Sequence, residues 1–317
     1  MATSFGQMTP NWNSFAMNWG GINPAHHGLN QHVELFTGLK TQWVGFDGAP
    51  KTMNTSLSIP FNDFKSDAPM FGMGIQIQRE NIGAFSLTKL QVAGAANIQT
   101  NDENRLSLGI GFGGIQVGYD ADKVLTNLQD NIVQRTGQAF IPQVSAGLSY
   151  VGKKYMLGLY LEDLITKNWG PIGNNSSFRT EYACYGRTIV DLNKQLSLVP
   201  SLRISYIAHT PINYFLLFKL SYMERFNVFV GTTSLKAFQF GLGGRINKSL
   251  VINYLFENGW SPLQQVNLNS HSIGLKIKLN THGNYLKKSN LLFMLGFPYL
   301  IAKSTMTVSL PIFSFNF

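Results

Sequence analysis

The histidines and a neighbouring serine are the residues whose types and spacing come nearest to a catalytic or metal-binding arrangement in this chain. The sequence contains six histidines: His26, His27, His32, His209, His271 and His282. Ser205 lies just before His209, and a serine activated by a histidine is a common nucleophile. No acidic residue adjoins this pair, however, and the chain has no G-x-S-x-G motif. We therefore interpret His209 as a turn residue and predict that the protein is not an enzyme.

The sequence does not indicate a metal or phosphate site either. His26 and His27 are adjacent, but no histidine or cysteine follows at the spacing of a metal-binding helix or zinc finger. The glycine-rich runs at 111–114 and 241–244 lie within alternating segments that no helix follows, so they lack the context of a phosphate-binding loop. Cys184 is the single cysteine, which excludes an internal disulfide and favours a buried or lipid-facing thiol. We expect no metal ion and no cofactor.

The composition favours one large all-β domain. The 317 residues contain no Pro- or Ser-rich linker that would divide them. Charged residues make up 13%, aromatic residues another 13%, and there are 31 glycines, a mixture that suits tightly turned strands better than helices. The net charge of +9 comes from basic residues that are scattered singly along the sequence. Nucleic acid is therefore not an expected partner.

Period-two alternation defines the predicted strands. Leu106, Leu108, Ile110 and Phe112 alternate with small or polar residues, and the same pattern recurs as far as 273–279, where Lys276 and Lys278 occupy the polar face. Such inward-facing lysines need water around them. No run of about 18 apolar residues exists to form a transmembrane helix. Alternating strands of a membrane barrel average to neutral hydropathy, so a membrane location is still compatible with this sequence.

Loop lengths separate a barrel from a soluble β-sandwich. We count about fourteen strands between residues 33 and 279, and the connections after even-numbered strands are short. Several connections after odd-numbered strands are long, at about 120–140, 164–177 and 258–269. Bacterial outer-membrane barrels have short periplasmic turns and long outer loops, whereas a sandwich has no reason to separate loops by parity. The sequence therefore predicts a transmembrane antiparallel β-barrel at residues 32–280.

Two local irregularities are expected within the strands. Pro200 cannot donate a ladder hydrogen bond, so it predicts a bulge or a strand boundary. At Gly113-Gly114 the apolar side changes parity, which predicts a second bulge.

The two ends of the chain differ from the barrel pattern. Residues 1–31 contain Phe5, Trp12, Phe15 and Trp19 without any period, and we expect an irregular segment that packs in the barrel lumen or across its periplasmic mouth. Residues 281–317 form an extension whose structure the pattern does not define. Its last residues alternate in phenylalanine, so two further strands, sixteen in all, are an alternative.

Two motifs in the sequence resemble the PorP/SprF family of the type IX secretion system of Bacteroidetes. The run QWVGFDGAPK, at residues 42–51, is similar to a family signature that follows the first barrel strand. Asn23, Pro24 and Gly28 are similar to the NPA-x-x-G segment near the mature N-terminus of the family. The chain departs from the family after about residue 280, where members commonly end.

The signature loop has two interpretations. In the functional one, Trp43, Phe46, Asp47, Gly48 and Pro50 form an ordered outer loop that docks a partner. In the structural one, the same Gly, Asp and Pro residues provide turn chemistry, and the aromatic side chains anchor at the membrane interface.

The resemblance implies a barrel without covalent chemistry that binds the C-terminal sorting domain of a large secreted surface adhesin and aids its secretion or anchoring. Gliding adhesins are one such cargo. It further implies contact with the type IX translocon, with the periplasmic ring, and with the lipid and lipopolysaccharide of a Gram-negative outer membrane. An exported chain needs a signal peptide, and none is visible in this sequence. The alternative function is a passive porin or small-solute transporter.

Overall fold

The barrel closes on itself with fourteen antiparallel strands, as the alternation predicts. The computed structural model describes residues 17–30, 32–62, 69–121, 137–165, 168–169, 176–177, 179–259, 269–280, 308–310 and 313–315. Each strand pairs with its neighbours in sequence, the first pairs with the last, and no edge is left open. The strands are β1 His32–Thr41, β2 Lys51–Asn62, β3 Pro69–Ile82, β4 Phe85–Gln99, β5 Arg105–Tyr119, β6 Gly137–Val151, β7 Tyr155–Glu162, β8 Glu181–Thr188, β9 Leu196–Ile207, β10 Asn213–Tyr222, β11 Phe226–Thr233, β12 Ala237–Arg245, β13 Leu250–Gly259 and β14 Asn269–Asn280.

The two faces of the strands differ in polarity. On β5, Leu108, Ile110 and Phe112 point outward and are 47–57% exposed, while Ser107 and Gly111 point into the barrel and are buried. Inward-facing positions elsewhere combine many serine, glutamine and asparagine residues with an apolar cluster that includes Phe36, Phe215 and Phe229. A closed sheet with an apolar exterior and a polar interior is the arrangement that a lipid bilayer requires.

The connections define two different ends of the barrel. Short turns at 100–104, 152–154, 192–195, 223–225 and 246–249 all lie at one end, which we name the short-turn end. The longest intervals between strands, 120–136, 163–180 and 260–268, each join two strand ends at the opposite end of the barrel, which we name the long-loop end. This parity is the one expected from the sequence. In part of the second long connection, Asn168–Trp169 pairs with Ser176–Ser177.

The barrel wall is uneven in height. Strands β4, β5 and β6 each have 15 residues, whereas β7 and β8 have 8. About 10 tilted residues suffice to cross the hydrocarbon layer. The long strands β3 to β6, which we call the tall wall, therefore extend beyond the membrane. At the long-loop end, the β3–β4 turn and the last residues of β5 lie farther from the membrane than the ends of β7 and β8.

The bulge predicted at Gly113-Gly114 is absent, because the registers of β5 with both neighbours are unbroken through these residues. The change in parity has a different cause. Beyond Gly113, the apolar side chains of β5 turn toward the lumen, where Ile115 and Val117 pack with Leu87 and Ile141, all at most 2% exposed. Polar residues face outward at this height, where the wall has left the lipid.

The irregularity predicted at Pro200 lies in the neighbouring strand. β9 runs through Pro200 and pairs it with Phe218 of β10. Pairing of β8 with β9 stops after Arg187 and resumes at Val190–Asp191, in the same register. The missing amide hydrogen of proline thus coincides with an interruption of β8, and β9 itself remains continuous.

The C-terminal extension does not add strands to the barrel among the described residues. Val308–Leu310 and Phe313–Phe315 pair with each other in a separate two-stranded sheet, so the fourteen-strand count holds. Phe5, Trp12 and Phe15 lie outside the described residues. Within the described part of the chain, no helix has the length and apolarity needed to cross a membrane.

Candidate functional site

The described N-terminal segment, residues 17–30, lies against inward-facing residues of seven consecutive strands, β2 to β8. It contains one 3-10 turn, Pro24–His26, and Asn23 caps this turn by accepting a hydrogen bond from Ala25 N. Its other hydrogen bonds reach Ser58 of β2, Gln76 of β3, Asn97 of β4 and Ser107 of β5. We call residues 17–30 the lumen segment.

Asn23 is the most strongly held residue of the lumen segment. It is fully buried, and its Nδ2 donates to Tyr185 Oη at 2.7 Å and to the Leu159 carbonyl at 3.1 Å, with Leu148 O and Ser149 Oγ also in range. A buried amide needs such partners, because leaving it unpaired costs about 1–3 kcal/mol. The first residue of the NPA-x-x-G motif therefore ties the segment to β6, β7 and β8.

His26 and His27 are buried beside this network. His26 Nε2 lies 2.5 Å from Tyr185 Oη and 3.3 Å from Ser149 Oγ, and Trp19 packs near the same tyrosine ring. Burial lowers the pKa of His26 to about 3, and the nearby positive charge of Arg187 adds to this effect. Burial also lowers the pKa of His27 to about 4. Both imidazoles are therefore neutral at pH 7.

Glycines in the wall make room for the lumen segment. A Cβ atom at Gly72 or Gly109 would overlap the backbone of the lumen segment. A Cβ at Gly74 would overlap the ring of His27, and a Cβ at Gly147 would overlap the Asn23 side chain. Gly28 has φ +75, and a Cβ there would in turn meet the backbone of Gly72. The inward-facing glycines of the strands thus provide the space into which the NPA-x-x-G motif packs.

Ion pairs line the lumen on the long-loop side of this segment. Lys89 contacts Glu162, Arg203 bonds Glu181 at 2.5 Å, and Lys40 lies 3.8 Å from Glu257. These inward charges meet partners on other strands, which is how barrels accommodate ionised groups away from bulk water.

The signature loop at 42–50 lies at the long-loop end and is fixed on both sides. Val44 N donates to Asn269 O of β14 at 3.1 Å, and Gly83 N, between β3 and β4, donates to Gly48 O at 2.8 Å. Trp43 adopts φ 49, in the left-handed region that non-glycine residues rarely occupy. Despite this ordered backbone, Trp43 and Phe46 are 42% and 46% exposed.

A cleft of about 580 Å³ adjoins the loop at this rim. Phe46, Asp47 and Gly48 form one side, and Arg79, Phe85 and Tyr119 are among the residues from the tall wall. The centroids of the Phe85 and Tyr119 rings lie 5.0 Å apart. The cleft combines aromatic and charged groups, as protein-binding surfaces do.

The residues considered for chemistry do not converge in the described structure. Ser205 is buried on β9, while His209 lies in the turn after that strand with φ 67. Among the described residues, no group of three or more His, Cys, Asp or Glu side chains is placed to hold a metal ion. Cys184 is exposed on the outward face of β8.

The comparisons with known proteins agree with this geometry. The family model "Type IX secretion system membrane protein PorP/SprF" matches residues 4–277. Among solved structures, the "CymD monoaromatic hydrocarbon channel" is 12% identical with a TM-score of 0.53, covering 85% of this chain and 100% of its own. Omp33 of Acinetobacter baumannii is 8% identical with a TM-score of 0.46, covering 80% and 100%. No curated protein matches the chain.

The closed sheet, its apolar exterior and its polar lumen define an outer-membrane β-barrel protein, and the likeness to CymD shows the same fold. The chain belongs to the PorP/SprF family of type IX secretion system membrane proteins. This membership implies contacts with other components of that system. Because short turns are periplasmic in such barrels, the short-turn end faces the periplasm and the long-loop end faces outward.

Sequence reasoning missed the importance of Tyr185, Ser149 and the wall glycines. Tyr185 lies in an unremarkable alternating strand, and its contacts with Asn23 join residues far apart in sequence. The inward glycines of β3, β5 and β6 are visible in the sequence, but alternation alone does not indicate that a second segment packs against them.

Proposed function

We propose that this barrel binds the C-terminal sorting domain of a large secreted surface adhesin at its outer rim and aids the secretion or anchoring of that adhesin. Trp43, Phe46, Asp47, Gly48 and Pro50 of the signature loop form the docking surface, together with the neighbouring cleft. Family membership supports the secretion role, and the exposed aromatic residues on a fixed loop support the location.

The observation that carries the proposal is the combination of order and exposure in this loop. A loop that is hydrogen-bonded to β14 and to the β3–β4 turn loses little conformational entropy when a partner binds. Aromatic side chains dominate binding energy in protein interfaces. The tall wall also raises the cleft beyond the lipid, where a soluble domain can reach it.

A co-purification experiment tests the docking surface. The full chain is affinity-tagged and recovered from detergent-solubilised outer membranes, and bound chains are identified. We expect Trp43→Ala combined with Phe46→Ala to reduce recovery of the adhesin at least tenfold. Tyr155→Ala with Tyr222→Ala is the matched control, because both tyrosines are exposed near the opposite end. Unchanged recovery together with weaker membrane stability would favour the interface-anchor interpretation instead.

A passive porin is the alternative function. The lumen segment argues against it, because this segment lies inside the barrel and is bound to inward-facing residues of seven strands. The segment therefore acts as a plug, and its removal should raise the conductance of the barrel.

Contact with the periplasmic ring is a further part of the proposal. Basic residues lie in the short turns: Lys153, Lys154, Lys194, Arg225 and Lys248. Lys154 already pairs with Asp191 at 2.8 Å, so the remaining four are the stronger candidates. We expect reversal of these four charges to lower ring co-purification and secretion together. Unchanged values for both would remove this contact from the proposal.

A further inference from the structure

A second cavity, of about 430 Å³, lies in the periplasmic half of the lumen beneath the lumen segment. Its cationic lining residues come from four strands: Arg187 of β8, Lys219 of β10, Arg245 of β12, and Lys276 and Lys278 of β14. Its acidic lining residues are Glu34, Asp191 and Glu224. We call this cavity the inner vestibule.

The acidic residues of the inner vestibule already have partners. Glu34 pairs with Lys276 at 3.8 Å, and Glu224 pairs with Arg245 at 3.5 Å. Asp191 pairs with Lys154 of the adjacent turn. Each carboxylate is thus matched by one cation other than Arg187, Lys219 and Lys278.

Three of the lining cations, Arg187, Lys219 and Lys278, make no ion pair within 4 Å among the described residues. Lys219 lies within electrostatic range of the other two, and Glu34 and Glu224 act on these cations only at longer distance. Five cations face three carboxylates, one of which pairs with Lys154 outside the lining, so the cavity carries a net positive charge. Arg187 lies over the Trp19 ring at 5.7 Å, which positions its guanidinium beside the lumen segment. Cations gathered in a partly enclosed cavity repel one another and attract anions.

Neutral polar groups complete the lining. Ser221 and Asn253 are 7% and 8% exposed and both line the vestibule. Asn253 Oδ1 is buried without a hydrogen-bond partner among the described residues. Because the amide can rotate to present its NH₂ group, it can donate to an acceptor in the cavity.

From this arrangement we infer that the inner vestibule binds a small polyanion, a molecule carrying two or three phosphate or carboxylate groups, through Arg187, Lys219 and Lys278. Charge-assisted hydrogen bonds to such groups are the strongest that these side chains make. The site is separate from the signature loop, so it stands whether or not the outer rim docks an adhesin.

Calorimetric titration of the purified full-length barrel in detergent tests the site. Pyrophosphate and citrate are the two probes, and their comparison distinguishes phosphate from carboxylate ligands. We expect saturable binding of at least one probe, weakening as salt rises. Lys219→Gln combined with Lys278→Gln should reduce the affinity at least tenfold. Lys153→Gln combined with Lys248→Gln removes the same charge from exposed turns and should leave the affinity within about twofold.

Three results would overturn the inference. They are an absence of saturable binding with both probes, equal loss of affinity in the control variant, and binding of an acidic peptide while both small probes fail. Heat-modifiable gel mobility of each variant shows that the barrel is folded. Arg187→Lys gives an independent check, because it keeps the charge but loses the planar fork, and it should weaken pyrophosphate less than Arg187→Gln does.

Discussion

At the scale of single residues, the lumen segment depends on the absence of side chains at particular wall positions. A Cβ at Gly147 would occupy the space of the Asn23 amide, and Asn23 joins the segment to Tyr185 and Ser149. The asparagine and the glycine are therefore complementary, although they lie on different elements.

We expect Gly147→Val to weaken the seating of the lumen segment by about 2–3 kcal/mol, because overpacking a filled site costs this much. Protease cleavage within residues 17–30 should become faster in folded, detergent-solubilised protein. Gly94→Val is the matched control, since a Cβ at Gly94 meets nothing within 4 Å. Equal cleavage of both variants would contradict the packing argument.

Because His26 and His27 are buried, the stability of the lumen segment's packing inside the barrel depends on pH. When the segment leaves the lumen, His26 and His27 return toward the ordinary pKa of 6.5, so the released state binds more protons. The stabilisation is thus complete above pH 6.5 and is lost as the pH falls toward 4. Arg187, Lys276 and the adjacent histidine oppose protonation of His26, and Glu34 alone favours it.

Lowering the pH from 7.5 to 5 should therefore weaken the seating by about 2 kcal/mol for each histidine. Hydrogen exchange of residues 17–30, measured at both pH values and corrected for intrinsic rates, checks this. The double variant His26→Gln, His27→Gln should show a much smaller pH effect. Protection that does not change with pH in the unmodified chain would exclude the mechanism.

At the scale of elements, the tall strands change environment along their length. On β5, Ile110 faces lipid, whereas Gln116, on the same outward face, bonds Gln138 at 3.0 Å above the membrane. The inverted polarity at 115–119 follows from this change of solvent, so no bulge is needed to explain it.

Arginine substitutions on β5 test where the membrane ends. Ile110→Arg should destabilise the barrel in lipid vesicles by about 2–4 kcal/mol, and Gln116→Arg by at most about 1 kcal/mol. Urea unfolding followed by tryptophan fluorescence measures both values. If the two substitutions cost the same, β5 does not leave the hydrocarbon layer where we place its end.

At the scale of the whole molecule, the lumen has a charge polarity. An excess of cations over carboxylates lines the periplasmic half, ion-paired residues line the outer half, and residues of the lumen segment lie between the two. A barrel divided in this way is suited to recognition at each end and poorly suited to free conduction.

Planar-bilayer recordings test this division. Deleting residues 1–31 should convert a barrel of low conductance into one with large, steady openings, because the wall contacts of residues 17–30 are then gone. Deleting residues 1–16 alone retains the lumen segment and should leave the conductance low. An unmodified chain that already conducts like its deletion variant would favour the porin alternative.

Much of the barrel was predictable because the residue pattern of each strand reflects the environment of its two faces. Alternation at Leu106–Phe112 identifies a strand with two unlike faces, and the parity of the connections identifies a closed membrane barrel. Pro200 and Gly113 were misinterpreted for a common reason. The effect of Pro200 depends on the strand that pairs with it, and the pattern around Gly113 depends on where the membrane ends. The sequence of a single strand gives neither of these.

The sequence by itself determined the strands, the barrel and the family, because period, turn chemistry and short motifs are local properties of a chain. Tertiary structure alone decided that Asn23 reaches Tyr185, that the inward glycines seat the NPA-x-x-G motif, and that Arg187, Lys219 and Lys278 share one cavity. Those basic residues look scattered along the sequence. Closing the sheet brings them together, since closure joins residues by strand position and not by their separation along the chain.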